Sequence, residues 1–303
     1  MSKVYVIIVT YNGKQWYDRC FSSLRASELP VEVIVIDNAS SDDTVTYIKQ
    51  HFPEVQLMSS DTNLGFGQAN NKGMRYALDH GADYVFLLNQ DAWIEPETIK
   101  ELVSVHQRNK EYGVLSPMHL NADKTAIEKG LLGFLTYHEH INKELISDFY
   151  IGPKNEVYAV REVNAAAWLL PRYTLETVGG FDPIFFHYGE DDNYLSRVLF
   201  HGLKVGIVPK VTICHDTERR LEKTKAQQST FEKWLLQRAT DLVYPQTLKW
   251  QMNFYYKESI KKLFFLNFKS TKINWSYARY LKRNSTAILF SIQQNKKRGT
   301  NWI

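Results

Sequence analysis

Several short stretches of this chain carry side chains whose types and spacing suit chemistry. The run DPIFFHYGEDD at 182–192 leads a set of aromatics into Glu190, Asp191 and Asp192. A carboxylate held there can take a proton from a hydroxyl nucleophile, the work of a general base. Acids in a helix first turn are also favoured by the macrodipole alone. Asn89 and Asp91 lie two apart after the apolar run YVFLL, so on an extended chain both side chains face one way. Two oxygen donors beside a diphosphate suit a hard divalent cation, Mg2+ or Mn2+; Asn and Asp are equally common in plain turns. His215 closes the apolar run 205–214, where it could act as a further metal ligand or phosphate donor, or serve structure alone. Asn63, Leu64, Gly65, Phe66, Gly67, Gln68, Ala69, Asn70 and Asn71 form a polar, glycine-bearing entry to a helix. Such a loop brings backbone N–H groups up to an anion, yet it has neither the GK[ST] of a Walker loop nor the GxGxxG of a dinucleotide site.

These residues need elements to hold them. Apolar runs at 4–10, 31–36, 55–59 and 84–88 read as strands, and 17–26, 42–51, 67–80 and 95–109 as helices. Strands apolar throughout and alternating with helices predict a mostly parallel sheet covered on both faces, an α/β doubly wound layout. In that layout ligands bind beyond the carboxyl ends of the strands. Those ends are polar here: Thr10, Tyr11, Asn12 and Gly13 after the first, Asp37, Asn38 and Ser40 after the second, Asn89 to Asp91 after the fourth. Asp37 can accept from a nucleobase or ribose, or the stretch 37–43 can simply cap the next helix. The stretch 113–165, rich in Gly, His and Tyr, reads as sheet-edge strands and loops. By placement alone it is expected, with Trp168, to meet an acceptor.

With 303 residues, 44% hydrophobic and 23% charged, the chain is globular in composition rather than disordered or disulfide-stapled. Mean hydropathy is −0.36, and no apolar run approaches the ~18 residues that span a bilayer. The two cysteines, Cys20 and Cys214, make neither a metal cluster nor a disulfide framework, which suggests a reducing cytoplasm. Net charge is only +4, but residues 1–217 hold 19 basic and 28 acidic residues, a balance of −9, and 218–303 hold 18 and 5, a balance of +13. The chemistry is therefore expected in 1–217, and attraction to an anionic surface in the basic, aromatic, helical 218–303.

Taken in order, VIIVTYNG at 6–13, VIDNASSD at 35–42, NLGFGQANNKG at 63–73, LLNQDAWI at 87–94, GGFDPIFFHYGEDDNYLSRV at 179–198 and His215 resemble family-two inverting glycosyltransferases of the GT-A fold, especially the bacterial rhamnosyltransferase-like branch. The resemblance covers about 1–217. It implies that Thr10, Tyr11 and Asn12 line a nucleobase pocket, that Asp37 binds the base with Asn38 and Ser40 nearby, and that Asn63, Gly65 and Asn70 border ribose and diphosphate. Asn89 and Asp91 occupy the metal-binding DxD, Asp91 as main ligand and Asn89 in place of its first Asp. Asp191 matches the catalytic base, Glu190 a residue orienting acceptor or base, and His215 a late histidine on metal or diphosphate. DTERR follows His215 where relatives often carry a serine, and Arg219 and Arg220 are offered as phosphate contacts instead.

The implied reaction moves a sugar from a nucleotide donor, dTDP-rhamnose or a UDP-hexose, to a glycan or lipid-linked glycan in polysaccharide synthesis. A sugar nucleotidyltransferase or a noncatalytic nucleotide-binding scaffold are the rivals. The first should carry a basic glycine-rich loop after strand one, where only TYNGK stands, and the second has no need of Asp91 or Glu190–Asp191. Outside the resemblance, 249–269 mixes Lys with Trp, Tyr, Phe and Leu. It reads either as an interfacial element drawn to an anionic membrane on the inner face, or as a bundle packed on the body or on a second copy in a homo-oligomer. Nucleic acid is not an expected partner.

Overall fold

The computed structural model describes residues 2–137, 143–217, 230–244 and 246–303; Arg219 and Arg220 lie outside the described residues. Strand β1 (Val4–Thr10) pairs in parallel with β2 (Val31–Asp37) and β4 (Tyr84–Leu88), and β2 in parallel with β3 (Gln56–Ser59). Helices α1 (Lys14–Arg25), α2 (Thr44–His51) and α3 (Gly65–Asp79) make the crossovers. Successive residues of β1 enter opposite cores. Tyr5 and Ile7 pack with Ala69, Met74 and Ala77 of α3, while Val4, Val6 and Ile8 pack with Tyr17, Phe21 and Leu24 of α1. That two-sided burial is why these strands read as unbroken apolar runs.

Beyond β4 the sheet turns mixed. β8 (Ala167–Pro171) runs antiparallel to β4 and also pairs with β6 (Tyr112–Leu120); β6 then runs parallel to β9 (Lys204–His215). Two short strands, β5 (Ala92–Ile94) and β7 (Tyr158–Val160), lie antiparallel to β9. The stretch expected to hold only sheet-edge strands and loops differs in two ways. β6 is central and buried along almost its whole length, and helices α5 (Lys129–Tyr137) and α6 (Lys143–Ile151) follow it. Pro117, which cannot donate to a ladder, sits where the β6–β9 register shifts, and that irregularity is what lets a proline occupy a central strand.

Helices α4 (Thr98–Arg108), α7 (Arg172–Val178) and α8 (Glu190–Phe200) complete the two faces. Helices α9 (Thr230–Thr240), α10 (Leu248–Phe264), α11 (Phe268–Arg283) and α12 (Ser285–Asn295) form a third core with Phe185. This last group is fastened to the body at Asp182, whose Oδ2 accepts from Ser291 Oγ at 2.5 Å and Asn295 Nδ2 at 2.7 Å. Two further ties are Gly180 N–H to the Asn301 carbonyl at 2.8 Å and the His201 ring to the Asn295 carbonyl at 3.0 Å. Among the described residues no helix is long and apolar enough to cross a membrane.

Candidate functional site

The polar ends of β1 and β2 lock together. Thr10 Oγ1 donates to Asp37 Oδ1 at 3.3 Å, Ser40 N–H to Asp37 Oδ2 at 3.2 Å, and Asn12 N–H to Ser40 Oγ at 3.0 Å. Asn12 holds a left-handed φ of 47°, which Asn tolerates better than most residues, and its Oδ1 accepts from Ser41 N–H at 2.8 Å. Asn38 ties this end to the next loop: its Nδ2 donates to Asn63 Oδ1 at 2.9 Å and its Oδ1 accepts from Leu64 N–H at 2.7 Å. Asn63 Oδ1 also accepts from Gly65 N–H at 2.9 Å. Thr10, Asn12, Asp37, Asn38, Ser40, Asn63 and Gly65 are thus one network. Asn70 is different: its amide donates to the Phe66 carbonyl of its own helix. Tyr11 is half exposed, with its backbone clamped at N–H and C=O by the Gln90 amide at 2.9 and 3.2 Å.

Asn89, Gln90 and Asp91 do not continue β4. They form a turn closed by Ala92 N–H on the Asn89 carbonyl, and β5 then pairs Ala92 with His215. That pairing brings His215 Nε2 to 3.3 Å from Asp91 Oδ1 and 3.4 Å from Asn89 Nδ2, with Asp91 and His215 almost fully buried. Two residues absent from the sequence reading complete the cluster. Glu128 Oε2 lies 4.0 Å from His215 Nδ1, and His119 stands edge-on to His215. Donor atoms of His119, Glu128 and His215 all fall within 4.8 Å of one another. Burial, with His215 beside it, drops the His119 pKa to about 3, so that ring is neutral. Glu128 is fixed by Gly130 N–H, Leu131 N–H and Thr217 Oγ1 at 2.8, 2.9 and 3.0 Å. His119, Glu128 and His215 form one set of donors close enough to share a divalent cation, and Asp91 with His215 would offer it a carboxylate oxygen and an imidazole nitrogen 3.3 Å apart.

The third cluster is the N-terminus of α8. Tyr188 and Gly189 take left-handed φ values of 67° and 96°, so the chain turns sharply to deliver Glu190, Asp191 and Asp192. Burial raises Asp191, partly offset by backbone N–H groups that include Ala165. Burial and the neighbouring Asp191 push Glu190 up to about 8, and the same two causes raise Asp192 well above its ordinary value. Gln237 donates to Asp192 from α9, and Lys233, over the Tyr188 ring, offsets the charge of Glu190. The α8 end is joined to the other clusters. A Cβ on Gly67 would meet Glu190 Cβ at 3.7 Å, and Ala166, next to Ala165, accepts from Asn89 N–H at 2.9 Å. A groove of about 380 Å³ opens alongside, lined by Arg161, Asp192, Asn193, Trp234, Arg238 and Tyr244. Trp168, expected near an acceptor, is fully buried instead, packed on Phe181 and Tyr194 behind the site.

A mixed sheet with its polar network at the ends of the parallel strands is the GT-A architecture. Residues 5–158 match the Glycosyl transferase family 2 model, and the chain belongs to that family; it is a glycosyltransferase. It is 24% identical over 225 residues to the Low-salt glycan biosynthesis hexosyltransferase Agl10 of Haloferax volcanii, covering 74% of this chain and 70% of that protein. It is 27% identical over 229 residues to the N-acetylglucosaminyl-diphospho-decaprenol L-rhamnosyltransferase of Mycobacterium tuberculosis, with coverages of 69% and 75%, and 25% identical to Rhamnosyltransferase WbbL of Escherichia coli, with coverages of 70% and 83%. The S. aureus TarS fragment solved with UDP-GlcNAc shares the fold at a TM-score of 0.60 and 15% identity, over 97% of this chain and 90% of that one.

Proposed function

We propose that the protein is an inverting, metal-dependent glycosyltransferase that moves a sugar from a nucleotide-diphosphate donor, dTDP-rhamnose or a UDP-hexose, to a glycan or lipid-linked glycan acceptor of a surface polysaccharide. The observation that carries this reading is the buried His215–Asp91 pair beside the Thr10–Asp37–Asn38 network, in a chain whose relatives are named for rhamnosyl and hexosyl transfer. Thr10, Tyr11, Asn12, Asp37, Asn38 and Ser40 receive the nucleoside; Asn63, Gly65, Asn70 and Asn89 border the ribose and diphosphate. Asp91 and His215 hold Mg2+ or Mn2+, which when bound offsets charge developing on the diphosphate.

Asp191 takes the proton of the acceptor hydroxyl as its oxygen bonds to the anomeric carbon and the bond from that carbon to phosphate breaks, its electron pair leaving with the diphosphate. A single displacement inverts the centre. Burial supports the role, since it raises the Asp191 carboxyl above its ordinary value and so makes the carboxylate a stronger base. Glu190 orients the base or the acceptor, and the Arg161–Trp234–Tyr244 groove supplies planar and cationic surface for the incoming glycan. The catalytic unit spans 1–217, and 218–303 serves docking or assembly, in the cytoplasm and on the inner face of the membrane.

Donor hydrolysis and transfer over a panel of nucleotide sugars tests the reading, with Asp191→Asn beside the wild type. The variant should lose at least ~100-fold in turnover while keeping donor affinity, given the weight of a general base. Turnover by Asp191→Asn near the wild-type level removes Asp191 from the role, and no activity on any sugar donor overturns the reaction.

A further inference from the structure

The join between α10 and α11 is built unlike any other surface of the described chain. Residues 263–269 are exposed without a break, and five of these seven are large apolar side chains: Leu263, Phe264, Phe265, Leu266 and Phe268. Phe264 is 84% exposed, Leu266 74%, Phe265 68% and Phe268 58%. Burial of apolar surface drives folding, so four such side chains gathered in water on one turn mark a surface meant for something else.

The backbone of this turn is equally specific. Asn267 N–H reaches back to the Lys262 carbonyl at 2.9 Å, and Leu266 holds a left-handed φ of 55°. That helix-ending position is normally glycine, and a bulky side chain there is costly. The turn therefore carries leucine where neither local conformation nor burial favours it. Asn267 then caps α11 by accepting from Ser270 N–H at 3.1 Å, so the turn is a fixed knuckle rather than a loose loop.

Charge settles the occupant. Residues 249–272 hold six lysines and one acid, Glu258, and Lys257, Lys261, Lys269 and Lys272 are all exposed around the apolar knuckle. A second copy docking by the same surface would set these lysines against their own images, a destabilising arrangement. An anionic bilayer answers both features, with phosphates for the lysines and acyl chains for the phenylalanines.

We infer that the α10–α11 knuckle, with Phe264, Phe265, Leu266 and Phe268 as its apolar point and Lys257, Lys261, Lys269 and Lys272 as its collar, docks the enzyme on an anionic lipid surface. This deepens the membrane part of the proposed function and narrows it from the whole of 218–303 to one turn. The mode is insertion of a point, not the lying-down of a helix face.

The test uses full-length protein and vesicles of phosphatidylcholine with or without about one-third phosphatidylglycerol, with no sugar donor or acceptor present. Failure of the glycosyl-transfer reading therefore leaves the result untouched. Wild type should co-sediment with the anionic vesicles, at least tenfold less with the neutral ones, and lose binding in high salt. A triple variant Phe264→Ser, Phe265→Ser, Phe268→Ser should lose at least tenfold in partitioning while keeping its melting temperature, since these side chains contribute to none of the described cores. Phe265→Trp should shift its emission to the blue on anionic vesicles. Wild-type protein that ignores anionic vesicles, a triple variant that binds as wild type, or a dimer in light scattering that the triple variant alone abolishes would each overturn the inference, the last in favour of self-assembly.

Discussion

His215 Nε2 stands 3.3 Å from Asp91 Oδ1 because two short pieces of backbone force it there. The turn at Asn89–Asp91 ends β4, and the antiparallel β5–β9 pairing then sets Ala92 opposite His215. Asp216 N–H closes the arrangement on the Asp91 carbonyl at 2.8 Å. Two side chains distant in sequence thus meet in one buried place beside the polar ends of the parallel strands.

Asp91→Asn keeps the size of this side chain and removes its charge. Partners that only orient a metal ligand are worth about 10–100-fold in affinity, so loss of a direct carboxylate donor should weaken Mn2+ binding by at least ~100-fold. Titration followed by the Mn2+ paramagnetic signal reads this without any turnover. Chelation should abolish transfer by the wild type, and Mg2+ or Mn2+ should restore it. Full activity in chelator, or unaltered Mn2+ affinity in Asp91→Asn, would remove the cation from Asp91.

Glu128 supports His215 from behind. At 4.0 Å from Nδ1 its carboxylate is too distant for a direct hydrogen bond, and its negative charge favours the tautomer protonated there, leaving Nε2 free for a cation. Glu128→Gln should therefore cost about 10–100-fold in Mn2+ affinity. Glu128 also caps the start of α5 through the N–H groups of Gly130 and Leu131, so a control is needed. Thr217→Val removes another contact of the same carboxylate without touching its charge, and should leave Mn2+ affinity within about threefold. Equal losses in both variants would reduce Glu128 to a structural cap.

The difference in legibility between these residues is physical. Asp91 and His215 end apolar runs, so their place at strand ends could be read along the chain, as could β1, β2, β4 and the helices between them. Glu128 and His119 reach the site only through the β6–β9 ladder and the helix after β6. The stretch that carries them has no clean period, because β6 is buried on both faces and interrupted at Pro117. β5 is three residues long, too short for periodicity to register, yet it decides where Asp91 sits. Trp168 went the other way: its placement along the chain suggested a ligand surface, while β8, central in the sheet, buries it.

Glu190 makes stability depend on pH with a definite sign. Its pKa is lifted from about 4.5 to about 8, chiefly by burial and then by Asp191. A carboxyl raised on folding binds its proton more tightly in the native state, so its contribution is fully present below pH ~4.5 and is lost as pH rises through about 8. Glu190→Gln removes that loss. Thermal melts of the metal-free protein should show the wild type falling in melting temperature from pH 6 to 9 more steeply than Glu190→Gln, with the variant the more stable at pH 9. Parallel curves would mean that Glu190 is not held protonated in the fold.

Gly65 joins the loop at 63–65 to the acid cluster by leaving no room between them. Its φ is +77°, and a Cβ there would fall 1.8 Å from the Phe186 carbonyl oxygen. Gly81 has nearly the same φ, +78°, but nothing within 4 Å of the same construction. Gly81→Ala therefore isolates backbone strain, worth about 1–2 kcal/mol. Gly65→Ala adds a clash with backbone that cannot swing aside, and should cost at least ~3 kcal/mol. At about 2–4 °C per kcal/mol for a chain of this order of size, the melting temperature should fall by ~6 °C or more in Gly65→Ala and by about two-thirds of that or less in Gly81→Ala. Gly65→Ala should also weaken nucleotide binding, since moving Gly65 pulls on Asn63 and Asn38, whereas Gly81→Ala should bind nucleotide as the wild type does. Equal melting temperatures and equal nucleotide affinities in the two variants would show that the loop yields, and that the close approach at Phe186 does not hold the site.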